Sequence, residues 1–100
     1  MKILISPDYG AGWSTWGCPE MATNKELISY FEEGVTKEQM EQKCIELGIV
    51  DEDGEPYYMG GFDQLEVVDV PKGNFFKIAE YDGYESVEIM SMGDWIYSYE

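Results

Sequence analysis

Two helix-start signals, Thr23-Asn24-Lys25-Glu26 and Thr36-Lys37-Glu38-Gln39, constrain the fold of this chain more than anything else in it. Each is a capping box: the threonine hydroxyl accepts the N3 backbone N–H, and the Glu or Gln reaches back to the N–H of the cap. The first helix carries Leu27, Ile28 and Phe31 on one face and stops at Gly34, since a left-handed C′ position strains glycine least. The second sets Met40, Cys44 and Leu47 at i, i+4 and i+7 before Gly48. Only Val35 and Thr36 lie between that first stop and the second helix, so the two form a tight αα-corner or hairpin.

On either side of this pair the chain reads as extended. Lys2 to Ser6 holds three consecutive apolar residues and stops at Pro7, which cannot donate to a ladder; a fully apolar run of this kind predicts a central strand buried on both faces. A polar connection over 49–61 follows the helices, and then the period changes to two. Strands are predicted over Leu65–Val70, Phe75–Tyr81, Glu85–Met90 and Asp94–Tyr99, with a turn at Pro71-Lys72-Gly73-Asn74 and a hairpin signal at Asp82-Gly83. In the third of these, Val87 and Ile89 point one way and Ser86 and Glu88 the other, so one face packs and one is wet. With 44% apolar and 15% aromatic residues the chain can fill a core. The expectation is a single α+β domain over 1–100: two short capped helices packed as a layer on a mainly antiparallel four- to five-stranded sheet, in the order β-α-α-β-β-β-β.

Charge narrows the function. The chain has 21 acidic and 6 basic residues, every basic one a lysine, no histidine, and a formal net charge of −15. Such a field repels phosphate, which disfavours direct binding to DNA or RNA and favours a basic partner. Lacking histidine and arginine, the chain also lacks the commonest general base, the commonest metal ligand and the bidentate phosphate clamp. Solubility asks a net charge of only roughly 2–8 from a small domain, and the excess costs stability by self-repulsion. Carboxylates spread over the helices and the sheet, among them Glu26, Glu32, Glu33, Glu38, Glu41, Asp63, Glu66, Asp82 and Glu85, therefore form a candidate interaction surface. Held on a rigid scaffold they can imitate nucleic-acid phosphates in a basic groove.

The most unusual stretch is the loop that leaves the first strand. Its glycines, hydroxyls and aromatics, Tyr9, Gly10, Gly12, Trp13, Ser14, Thr15 and Trp16, are the ingredients of an anion nest with stacking platforms, and so of a small-ligand or nucleotide-like pocket. A third glycine and a Gly-Lys-[ST] are missing, and the helix starts well downstream, so a phosphate loop is not expected. Either the tryptophans anchor a long loop to the core, or they are a ligand or partner hot spot.

Other constellations carry less. Asp51, Asp53 and Glu55 alternate around Gly54, but the first and twelfth positions of a calcium loop would be Ile49 and Gly60, and a solvated turn is expected instead. Cys18 has no cation near it in sequence, Cys44 falls at a core spacing, and both are expected as reduced thiols. Ser14 and Thr15 have no histidine to activate them, which excludes a Ser-His-Asp mechanism. No catalytic residue, metal site or cofactor is expected. The start of the chain is too short in apolar residues for a leader or a membrane span. Trp95, Tyr97 and Tyr99 share one face of the last predicted strand and offer a dimer or partner surface.

The opening Met-Lys-Ile-Leu-Ile-Ser-Pro with Gly-Ala-Gly-Trp-Ser-Thr-Trp, together with Met59-Gly60-Gly61-Phe62, Leu65-Glu66-Val67 and Glu80-Tyr81-Asp82-Gly83-Tyr84-Glu85, resembles a family of small uncharacterised acidic proteins of phage and prophage genomes. The resemblance spans most of the chain and implies a host-directed phage protein in the bacterial cytoplasm. By analogy of size, charge and origin, that places it in the company of anti-CRISPRs and DNA mimics. The expected function is a non-enzymatic interaction protein whose acidic surface binds a basic nucleic-acid-handling or defence protein of the host, as inhibitor or mimic. The alternative is a small-ligand module built on the loop at 9–17.

Overall fold

The computed structural model describes residues 1–90. In chain order these form β1 (Lys2–Ile5), α1 (Glu20–Thr23), α2 (Lys25–Glu32), α3 (Lys37–Leu47), a single 3₁₀ turn (Phe62–Gln64), β2 (Glu66–Asp69), β3 (Phe75–Tyr81) and β4 (Tyr84–Met90). The class is α+β, as expected. The last predicted strand, with Trp95, Tyr97 and Tyr99, lies outside the described residues.

The helical region holds one helix more than the sequence pattern indicates. Pro19 opens the short α1, and Asn24, in extended geometry at φ −67° and ψ 119°, breaks it from α2. Asn24 rather than Thr23 is therefore the cap of α2, its side chain accepting from the Leu27 N–H at 3.1 Å. Thr23 is the last residue of α1, so its hydroxyl cannot serve the predicted capping box. The box at Thr36 forms as expected: the Gln39 N–H donates to Thr36 Oγ1 at 3.2 Å and the Thr36 N–H to Gln39 Oε1 at 2.9 Å. Gly48 closes α3 in the left-handed region at φ 77°.

Among the described residues the strands form two antiparallel pairs, β1 with β2 and β3 with β4, rather than the expected single sheet of four to five strands. β2 turns back to β1, in a register that sets Leu4 opposite Val67 and Lys2 opposite Asp69. The turn at 71–74 does form, but the strands it joins belong to different sheets. Pro71 withdraws a donor where β2 ends, and the Val70 N–H is already taken by the Met1 carbonyl at 2.7 Å. β1 is buried on both faces, as its apolar run requires, and among the described residues β2 is the strand that pairs with it. Past its end, the Glu85 N–H donates to the Ser6 carbonyl at 2.9 Å, a backbone bond that ties β4 to the end of β1.

The core lies between β1 and the helices. Leu4, Trp13, Met21, Leu27 and Met40 are fully buried, with Cys44, Met59 and Leu65 packed into the same cluster. Burying a side chain of this size contributes about 1.5–3 kcal/mol. Asp82 and Gly83 both have positive φ, 50° and 86°, which makes a two-residue turn of the kind whose twist matches its flanking strands. The turn brings Tyr81 opposite Tyr84 and Glu80 opposite Glu85.

Candidate interaction site

The loop after β1 wraps around the turn of the β3–β4 hairpin, and a buried carboxylate holds the two together. Glu85 is wholly inaccessible to solvent. Its Oε1 accepts from the Ser6 N–H at 2.9 Å; its Oε2 accepts from the Trp13 N–H at 2.8 Å, the Thr15 N–H at 3.0 Å and the Thr15 hydroxyl at 2.5 Å. The loop thus does form an anion nest, but the anion is the chain's own side chain. Burying a carboxylate without a cation is costly unless donors converge on it, and four do so here. Glu85 is accordingly not part of an acidic surface, which corrects the expectation from sequence.

Close approach of backbone completes the clasp. A Cβ on Gly83 would stand 2.5 Å from the Ala11 N, and one on Gly61 would stand 2.6 Å from Ser6 Oγ and 2.8 Å from the Ala11 carbonyl oxygen. Ser6 Oγ donates to that same carbonyl at 3.0 Å, and the Gly10 N–H donates to the Asp82 carbonyl at 2.9 Å. The motifs Ser-Pro, Gly-Ala-Gly-Trp-Ser-Thr-Trp, Met-Gly-Gly-Phe and Glu-Tyr-Asp-Gly-Tyr-Glu, far apart in sequence, all meet at this point.

The loop's aromatics divide. Trp13 is fully buried, with its indole N–H donating to the Met21 carbonyl at 2.7 Å, so it is a core anchor and does not reach a ligand or partner. Ser14 is also buried. Tyr9 and Trp16 stand at the surface, 63% and 42% exposed. Tyr9 packs on Tyr84, ring centroids 5.0 Å apart, while Trp16 lies nearly parallel to Tyr58, at 23° and 6.3 Å. Tyr84 and Glu80 project from opposite faces of the hairpin, because Glu80 pairs with Glu85 and Tyr81 with Tyr84. The loop therefore straddles the turn, with Tyr9 on one side and Trp16, bonded to Glu80 at 3.3 Å through its indole N–H, on the other.

Of the carboxylates assigned to the surface, Glu26, Glu32, Glu33, Glu38, Asp63, Glu66 and Asp82 are exposed and Glu41 is half-buried. Glu32 is paired with Lys2 at 2.9 Å. They are distributed over α2, α3, the 3₁₀ turn, β2 and the hairpin turn rather than gathered on one element. Asp51 spends its carboxylate locally, accepting from the Asp53 and Glu55 N–H groups at 2.9 and 3.0 Å, as a turn former does. Cys18 and Cys44 are both free. Burial, with the nearby Cys18 and Glu41 adding to it, pushes the Cys44 thiol up to about 11.

A cleft of ≈ 330 Å³ opens between the hairpin and α1, lined by Ser14, Thr15, Pro19, Ala22, Thr23, Phe76 and Ile78. Among the described residues no helix is long and apolar enough to cross a membrane. Compared with known proteins, the chain matches no family model, no curated protein and no solved structure.

Sequence reasoning missed three members of this region: Glu85 as the clasp, and Tyr58 and Glu80 as neighbours of Trp16. Glu85 had a signal, for it shares its phase along the strand with the apolar Val87 and Ile89, the face expected to pack, where a carboxylate must find donors. Tyr58, in an irregular connection, had none.

Proposed function

We propose that this chain is a non-enzymatic interaction protein of phage type, which binds a basic face of a host nucleic-acid-handling or defence protein in the bacterial cytoplasm and acts there as inhibitor or mimic. The observation that carries this reading is the display of exposed carboxylates on both helical and strand elements of a packed scaffold, against only six lysines and no arginine. A surface of that kind repels nucleic acid, attracts a basic groove over long range and associates fast. Exposed aromatics beside the hairpin turn supply the short-range contacts that charge alone lacks. The test is binding to a basic nucleic-acid-handling host protein across a salt series. Affinity should fall steeply as ionic strength rises; affinity indifferent to salt sinks the mimic reading.

The small-ligand reading survives in altered form. The nest that suggested it is filled by Glu85, but the cleft bordered by Ser14 and Thr15 has the volume of a small ligand site, at the lower end of the usual range of about 300–1,000 Å³. A thermal-shift screen of nucleotides and metabolites decides it, and no shift with any of them counts against it. A homodimer through the predicted aromatic strand belongs to the same set of proposals, and sedimentation analysis tests it.

A further inference from the structure

We infer that the Trp16–Tyr58 face, edged by Glu80, is a receptor for an arginine side chain of the basic partner. This rests on the interaction reading above and gives it a contact point and a preferred cation.

The two rings are exposed, 42% and 62%, and lie nearly parallel, presenting aromatic surface beside a carboxylate. Exposed tryptophan and tyrosine faces attract cations through the ring quadrupole, and the planar, weakly hydrated guanidinium stacks on them better than an ammonium does. The carboxylate is held in place. Glu80 Oε2 accepts from the Gly83 N–H at 2.7 Å and from the Trp16 indole N–H at 3.3 Å, while the described hydrogen bonds and ion pairs leave Oε1 open to a guanidinium N–H.

The platform is preorganised as well. Thr15, the residue before Trp16, is fixed by two bonds to Glu85, and the indole lies so close to Gly12 that a Cβ there would stand 2.8 Å from its Cδ1. A side chain already held in its bound position loses little entropy on docking.

The cation has to come from another molecule. The chain contains no arginine. Its described lysine contacts lie elsewhere: Lys2 with Glu32, Lys43 with Glu26, Glu46 and the Tyr30 ring, and Lys77 with Glu88. The surrounding net charge of −15 favours a cationic occupant over a neutral sugar, the other ligand that stacks on such rings.

Titration of the full chain with hexa-arginine and hexa-lysine at low salt, followed by the indole N–H resonances and by calorimetry, tests this. Hexa-arginine should bind several-fold tighter, with the exposed indole signal moving most. Tyr58→Ala and Trp16→Ala should bring hexa-arginine down to the hexa-lysine level and leave hexa-lysine unchanged, whereas Trp16→Phe, which keeps a ring, should keep part of the preference. Tyr58 is the more exposed of the two, so its variant guards against a folding defect at Trp16. Equal affinity for the two peptides, or a preference that survives both alanine variants, overturns the arginine site while leaving the basic-partner reading intact. If neither peptide binds, both fail. A shift of the exposed indole by maltohexaose larger than that by hexa-arginine overturns the site in favour of a sugar platform.

Discussion

Glu85 is the residue whose replacement says most about the clasp. In Glu85→Gln the amide oxygen can keep the three donors now on Oε2, but the NH₂ group then faces the Ser6 N–H, donor against donor. The reverse orientation leaves three donors facing an NH₂. Either way at least one buried N–H loses its partner, at about 1–3 kcal/mol each, and the charge-assisted bonds that remain weaken. We expect Glu85→Gln to lower unfolding free energy by about 2–4 kcal/mol in urea denaturation; a loss below about 1 kcal/mol would mean that the clasp does not hold the loop. Cys44 gives a second prediction at this scale. Its thiol is raised from 9.0 to about 11, so above pH 9 the unfolded chain releases this proton before the folded one does. Stability must then fall as pH rises from about 9 to 11, by on the order of 2–3 kcal/mol for this group. Urea unfolding of wild type and Cys44→Ala at pH 8 and pH 10.5 isolates it: the gap in stability between them should shift in favour of the variant at the higher pH.

At the scale of elements, the caps test how far local signals decide helix boundaries. Asn24→Ala should cost about 1 kcal/mol, because its side chain satisfies the Leu27 N–H. Thr23→Ala should stay within about 0.5 kcal/mol, because Thr23 ends α1 and caps nothing. Thermal unfolding of the two variants reads the difference, and equal losses would place the cap at Thr23 after all. The sequence pattern at this point is ambiguous by one residue, since Thr and Asn are both good caps, and what decides between them is a short preceding helix that begins at a proline and carries no periodic signal. Elsewhere local chemistry was legible. The Thr36 box, the Gly48 stop and the Asp82-Gly83 turn each depend on backbone groups within a few residues, and all three form as read. Strand pairing was less legible, because nothing in a period-two pattern says which neighbour a strand takes. β2 carries the same alternation whether it pairs forward to β3 or back to β1. The candidate site shows the same division: Tyr9, Trp13 and Trp16 were legible as aromatics on a glycine-rich loop, whereas which of them is buried, and the filling of the nest by Glu85, depend on contacts across the whole chain.

For the molecule as a whole, the question is whether its charges attract or repel one another on balance. The described ion pairs, Met1 with Asp69, Lys2 with Glu32, Lys43 with Glu26 and Glu46, and Lys77 with Glu88, are surface contacts at 2.9–4.0 Å, a kind that contributes little in water. Against them stands a formal net charge of −15 on 100 residues. Repulsion among unpaired carboxylates acts over the width of the molecule, since screening at about 0.01 M salt reaches only beyond roughly 30 Å, and it is confined to neighbours near 0.15 M, at roughly 8 Å. Added salt therefore removes far more repulsion than attraction. The midpoint of thermal unfolding should rise between about 0.01 M and 0.3 M sodium chloride, by several degrees if the relief is on the order of 1 kcal/mol. Binding to a basic partner responds in the opposite direction, weakening over the same range, because there the same charges are complemented. Opposite responses of folding and binding to one variable follow only if the carboxylates are unpaired in the free protein and paired in the complex. Calorimetry at matched salt concentrations measures both, and a melting midpoint that falls with salt would mean that the surface is already internally neutralised and has little charge left to offer a partner.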